Sequence, residues 1–172
     1  FYVSSEYGNR KHPVLKTKRF HHGIDLAGTW QETVQATAPG TVIFAGSKGS
    51  FGKVVQVRHA YGIVTTYAHL SKITVRKGAD VAVGTVVGRM GRTGRVDGAH
   101  LHYEIRIGNT SLNPRMFFAI GHRIGNAPER HPTSCLTTVL WAIAAAGGAP
   151  RAERLDAVAE ALAARLDECA DQ

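Results

Sequence analysis

Five short runs rich in β-branched residues, each bracketed by glycine or proline, limit what the first two thirds of this chain can fold into. They are Thr41–Ala45, Lys53–His59, Ile63–Tyr67, Val81–Val87 and His100–Ile107. Between them stand Ala38-Pro39-Gly40, Gly49–Gly52, Tyr61-Gly62, Lys77-Gly78 and Gly91–Gly94. Such side chains pack well on a pleated surface, and Gly- and Pro-containing breaks end each strand after a few residues. Nothing before residue 118 holds an apolar period of 3.6 residues, so helices are not expected there. Lys53–His59 and Ile63–Tyr67 are close enough to form a hairpin around Ala60-Tyr61-Gly62. The expected fold is mainly β: a small antiparallel sheet or sandwich spanning residues 1–117.

The pattern changes beyond that point. Residues 118–132, with Gly121, Gly125, Pro128 and Pro132, read as a linker. Thr133 or Ser134 can cap a helix that runs to Ala146 and stops at Gly147-Gly148. From Ala152 to Leu166, Leu155, Val158, Leu162 and Leu166 share one stripe, opposite charged positions. Residues 133–172 are therefore expected to form an α-helical hairpin appended to the β domain.

Charge divides at the same place. Residues 1–117 hold 16 lysines and arginines against 6 acidic residues, a balance of +10; residues 118–172 hold 5 against 7, or −2. A basic first part suits an anionic partner: nucleic acid, an anionic membrane surface or an acidic wall polymer. Nucleic acid fits least, since no aromatic-plus-basic binding motif is present. Cys135 and Cys169 both lie in the tail; they form one bridge in an oxidising compartment or stay reduced. The chain opens at Phe1 with no charged-then-apolar leader, as expected of a mature or trimmed fragment whose export signal, if it had one, is gone. The longest apolar run, Leu136–Ala146, is too short to cross a bilayer.

Nine histidines in 172 residues call for sorting. Side chains two apart in a strand point to one face, so His100-Leu101-His102 would set two imidazoles side by side, roughly 6–7 Å apart. Glu104 shares that face and is a candidate partner behind a metal ligand. Near the start, His21-His22-Gly23-Ile24-Asp25 adds an imidazole and a carboxylate. His21, Asp25 and His102 together make a three-ligand set for a catalytic zinc with one position left for water. Taken alone, each piece also reads as ordinary surface or turn residues. His12, before Pro13, reads as a loop residue, and His59, His122 and His131 as solvent-facing. Lys16-Thr17-Lys18-Arg19 reads as a solvated loop or as a contact for carboxylates, and Arg92, Arg95 and Arg106 read the same way.

The order of motifs carries a family resemblance. Tyr7-Gly8-Asn9-Arg10-Lys11-His12-Pro13, Arg19-Phe20-His21-His22-Gly23-Ile24-Asp25-Leu26-Ala27, Tyr67-Ala68-His69-Leu70-Ser71 and Gly98-Ala99-His100-Leu101-His102-Tyr103-Glu104-Ile105-Arg106, closed by Asn113-Pro114, follow one another as in the lysostaphin-type (LytM-like) zinc metallopeptidases of bacterial cell walls. Residues 1–117 resemble that family; the tail has no counterpart. The resemblance implies His21, Asp25 and His102 as ligands of one Zn2+ and His69 and His100 as the two catalytic histidines. His22 falls on a variable position and is left out of the metal shell. It also implies a small antiparallel fold of the duplicated hybrid motif type, whose sheet floors an open groove.

The activity implied is hydrolysis of peptide bonds in the stem peptides or cross-links of peptidoglycan. The location implied is outside the cytoplasm, in a periplasm or cell wall. The opening segment resembles members that cut D-alanyl-diaminopimelate cross-links more than those that cut glycine bridges. Some relatives of this fold lose ligands or catalytic histidines and serve as wall-binding or amidase-activating modules. Here all five positions are filled.

Overall fold

The computed structural model describes residues 1–11 and 18–117. The expected linker and helical hairpin, His12, His122, His131 and both cysteines lie outside the described residues. The order of strands is β1 (Tyr2–Ser5), β2 (Gly8–Lys11), β3 (Lys18–His21), β4 (Ile24–Ala27), β5 (Thr33–Gln35), β6 (Gly40–Ser47), β7 (Lys53–Arg58), β8 (Ile63–Leu70), β9 (Lys72–Ile73), β10 (Asp80–Val81), β11 (Val86–Arg89), β12 (Leu101–Ile107) and β13 (Thr110–Leu112). All pairings are antiparallel. The largest sheet runs β1-β4-β12-β8-β7-β6-β10, with β13 beside β12; β5-β11-β9 form a second sheet and β2-β3 a separate hairpin. The mainly-β expectation is met.

Four of the five expected strands appear as β6, β7, β8 and β12, and β7 and β8 pair across the expected turn. Tyr61 and Gly62 both take positive φ there, 59° and 74°, which is how so short a connection reverses the chain. The run Val81–Val87 is two strands rather than one. Gly84 has φ +80°, and the Thr85 amide donates to the Ala82 carbonyl, so a turn separates β10 in the large sheet from β11 in the small one.

The core lies between the two sheets. Ile24, Leu26, Val55, Val57, Ile63, Tyr67, Leu101, Tyr103 and Ile105 of the large sheet meet Val34, Ala36 and Val87 from the side of the small one. Alternation along β12 sends Leu101, Tyr103 and Ile105 into this core and leaves His102 and Glu104 on the other face.

One polar chain crosses the core. The Tyr67 hydroxyl lies 2.9 Å from Thr37 Oγ1 and accepts the Thr37 amide; Thr37 Oγ1 lies 2.9 Å from the Tyr103 hydroxyl. Thr65 Oγ1 links Tyr67 (3.0 Å) to His59 Nε2 (2.7 Å), and His59 Nδ1–H donates to the Pro39 carbonyl at 2.8 Å. His59 is thus a buried member of this chain, not the solvent-facing residue expected from sequence. Gly40 makes room for it, since a Cβ there would stand 2.9 Å from His59 Nδ1.

Burial pushes the His59 imidazole below its ordinary value of 6.5, against the pull of the Pro39 carbonyl. The folded state therefore favours neutral His59, while the unfolded chain takes up a proton near 6.5. Its contribution to stability is complete above that pH and is lost as pH falls through the folded-state value. Urea unfolding of the wild type and of His59→Gln between pH 7.5 and 5 should show a steeper acid loss in the wild type. Parallel pH profiles would contradict this.

Candidate metal centre

Register brings the first two candidate ligands together. In the β4–β12 pairing Asp25 stands directly opposite His102, on the face away from the core. His21 ends β3, and only two residues separate it from β4, so the chain folds back with His21 beside Asp25. His21 Nε2, Asp25 Oδ1 and His102 Nδ1 converge at 3.1, 2.8 and 3.0 Å from one another. Among the described residues these three form a group able to hold a metal ion.

The outer atom of each imidazole is already committed. His21 Nδ1–H donates to the Glu6 carbonyl at 2.7 Å, and His102 Nε2–H to Glu104 Oε1 at 3.0 Å. Two imidazole lone pairs and a carboxylate oxygen are therefore aimed at one buried point, which only a proton or a metal cation can satisfy. Tetrahedral zinc with bonds of about 2.0–2.1 Å needs ligand atoms about 3.3 Å apart, a few tenths of an ångström wider than this triangle. The residues fit such an ion. Burial would lower the His102 pKa, but its hydrogen bonds to Asp25 and Glu104 raise it to about 8. Burial likewise opposes ionisation of Asp25, yet its bonds to His102 and His21 hold the carboxyl far below the usual carboxylate range. Arg10 of β2 donates to the second oxygen, Oδ2, at 3.3 Å, leaving Oδ1 for the centre.

Gly23 lies between these ligands for a steric reason. Its φ is not in the left-handed region, but a Cβ would collide with the Tyr103 carbonyl oxygen and stand 2.9 Å from Glu104 Cγ. His22 turns outward, with Nδ1 3.0 Å from Ser111 Oγ and its ring 5.0 Å from Phe20, and takes no part in the cluster.

His69 and His100 stand against the trio. Their rings are 4.8 Å apart; His69 lies 5.9 Å from the His102 ring, and His100 Nε2 lies 3.7 Å from Asp25 Oδ1. Each has its other nitrogen fixed, His69 Nδ1–H on the Thr93 carbonyl at 2.9 Å and His100 Nδ1–H on the Gly98 carbonyl at 3.0 Å. Among the described residues no hydrogen bond engages either Nε2. Burial pulls the His69 pKa down to about 4, so the ring is neutral near pH 7.

His69 reaches this side through an irregularity that the sequence did not announce. Regular alternation after core-facing Tyr67 and outward Ala68 would send it into the core. Instead the β7–β8 register slips between Lys53↔Leu70 and Val55↔Tyr67, and His69 takes φ +62°. A bulge of this kind re-aims one side chain at a cost of about 1–3 kcal/mol. Thr93 secures it from the facing loop, since its hydroxyl donates to the Leu70 carbonyl and accepts the Lys53 amide. Phe51, whose ring is 5.8 Å from His102, stands at the same edge. Arg92 and Arg95 are exposed; Arg106 is half-buried and bonded to the Asn109 carbonyl.

Known proteins resemble this chain in sequence and fold. The model of Peptidase family M23 matches residues 19–114, more than half of the chain. DD-carboxypeptidase/endopeptidase Mpg of Neisseria meningitidis serogroup B is 47% identical over 112 residues, which cover 65% of this chain and 26% of that protein. The chain thus spans about a quarter of the length of this curated relative. The crystal structure of a zinc containing peptidase from Vibrio cholerae superposes with a TM-score of 0.61 at 34% identity, covering 64% of this chain and 35% of that one. The catalytic domain of the antimicrobial peptidase lysostaphin from Staphylococcus simulans gives 0.62 at 26% identity, covering 68% and 91%. With the family model matching more than half of the chain, and with solved members sharing its fold, the chain belongs to peptidase family M23.

Proposed function

We propose that residues 1–117 form the catalytic domain of a zinc-dependent endopeptidase that hydrolyses peptide bonds in the stem peptides or cross-links of bacterial peptidoglycan. The observation that carries this reading is the convergence of His21 Nε2, Asp25 Oδ1 and His102 Nδ1 beside two further imidazoles with free Nε2 atoms. A pure binding module has no use for that pair. One Zn2+ on the trio would supply Lewis acidity and an acidified water.

The remaining work falls to His69 and His100. Their Nε2 atoms accept the proton released when water oxygen bonds to the peptide carbonyl carbon. The Nε2 that has taken the proton donates it in a hydrogen bond to the oxyanion and then passes it to the amide nitrogen as the C–N bond breaks. Fixing each ring through Nδ1 means little reorganisation is needed during these transfers. The balance of +10 over residues 1–117 suits a carboxylate-rich wall polymer. The sequence of the opening segment favours D-alanyl-diaminopimelate cross-links over glycine bridges as the bond cut. Action on such a wall places the protein outside the cytoplasm.

Purified full chain should carry one zinc and release new amino and carboxyl termini from isolated sacculi. A chelator should stop this and added Zn2+ restore it. Full zinc occupancy with no cleavage of any wall preparation would leave a non-catalytic wall module as the remaining reading.

The two histidines give a sharper test. His69→Ala and His100→Ala should each lower turnover by about 10²–10⁴-fold, the usual scale of acid–base catalysis, with zinc retained. Loss of zinc from either variant would make that residue a ligand instead.

A further inference from the structure

Two residues beyond His102, the same face of β12 carries a carboxylate that the proposed chemistry does not use. Glu104 is buried, with 4% of its surface exposed. Its Oε1 accepts His102 Nε2–H at 3.0 Å, and its Oε2 lies 3.6 Å from Arg106 Nη1. Its packing is reserved from a second direction, because Gly23 in the loop between two ligands leaves free the volume beside Glu104 Cγ.

We propose that Glu104 is a positioning residue for the metal: it holds the His102 proton on Nε2 so that the Nδ1 lone pair faces His21 and Asp25. A neutral imidazole carries one proton on either nitrogen, and the partner of one nitrogen decides which. With Glu104 behind it, the proton belongs on the outer nitrogen. With the acceptor gone, Nε2–H is buried and unpaired, and the competing tautomer turns N–H toward Asp25 Oδ1, where the cation would sit. Arg106, anchored on the Asn109 carbonyl, keeps the second carboxylate oxygen engaged and Glu104 in place.

A buried ion pair that only stabilises the sheet would look similar in the folded protein. The two differ in what metal binding reads. Partners of this kind commonly govern metal affinity by 10–100-fold. This inference rests on the zinc reading of the trio, and the test separates the two.

Full chain stripped of metal would be titrated with Zn2+ against a fluorescent chelator, for the wild type, Glu104→Met and Glu104→Gln. Met keeps the volume and removes the acceptor; Gln keeps an oxygen acceptor and removes the charge. The zinc Kd should rise about 10–100-fold in Glu104→Met and stay within about threefold of wild type in Glu104→Gln. Urea midpoints of the metal-free proteins, measured alongside, report stability separately. A folded Glu104→Met with wild-type Kd, or a Glu104→Gln as weak as Glu104→Met, would overturn the positioning role alone. A wild type that binds no zinc would overturn the metal reading and this inference with it.

Should Glu104→Met fail to fold, the wild type decides. Nitrogen-15 spectra of the metal-free wild type at alkaline pH, where the ring is neutral, should show the His102 proton on Nε2; a proton on Nδ1 would overturn the proposal.

Discussion

Everything at the centre depends on one register: Asp25 of β4 opposite His102 of β12. Side chains alternate with a period of two, so a slip of one residue would send Asp25 or His102 into the core and bring an apolar neighbour to the face that carries the cluster. That register is itself held from the core side. Leu26 pairs with Leu101 and Ile24 with Tyr103, and all four are buried among the aliphatic residues between the sheets. Apolar burial, which is non-directional, thus fixes a directional site because the two occupy opposite faces of the same strands.

A second polar system lies on the opposite face. His59, Thr65, Tyr67, Thr37 and Tyr103 form a bonded chain through the core, and Tyr67 and Tyr103 flank the positions that carry Ala68 and His102 on the metal face. A buried polar group is costly unless paired, and a fully paired network favours one arrangement over its near neighbours. The central strands β8 and β12 are therefore registered twice, once by apolar packing and once by hydrogen bonds that tolerate little displacement. The bulge at His69 can persist in such a frame: its strain falls at one residue, and Thr93 ties that residue to the neighbouring loop.

Much of this was legible in the sequence, and what was missed has definite causes. The β-branched runs announced β6, β7, β8 and β12 because those strands are long enough for composition to speak. β2 and β3, Gly8–Lys11 and Lys18–His21, are short and polar, and their pairing comes from the hairpin rather than from propensity. Gly84 inside Val81–Val87 was the available sign of a turn, outweighed by its valine neighbours. His59 was misplaced although Val55, Val57 and His59 share parity, and parity alone would have put it inward. The same rule, applied from His102, did place Glu104 correctly. The bulge that re-aims His69 left no such trace, since a slip of register is a property of two strands and not of one.

The location of the functional groups follows from these constraints. Asp25, His21, His69 and His102 sit on or at the ends of strands, and His100 is bridged to Gly91 at the entrance to β12. Five groups spread over about eighty residues of sequence are held by backbone ladders rather than by loops, and rigid elements hold such constellations more closely than loops do. Each imidazole of this set has its outer nitrogen bonded to a carbonyl or carboxylate, so its ring orientation is determined before any cation or substrate arrives. A cation held by the trio would need only a few tenths of an ångström of movement from these side chains. Binding of such a cation would therefore draw little on conformational entropy, and it would compete with protons for the same three atoms.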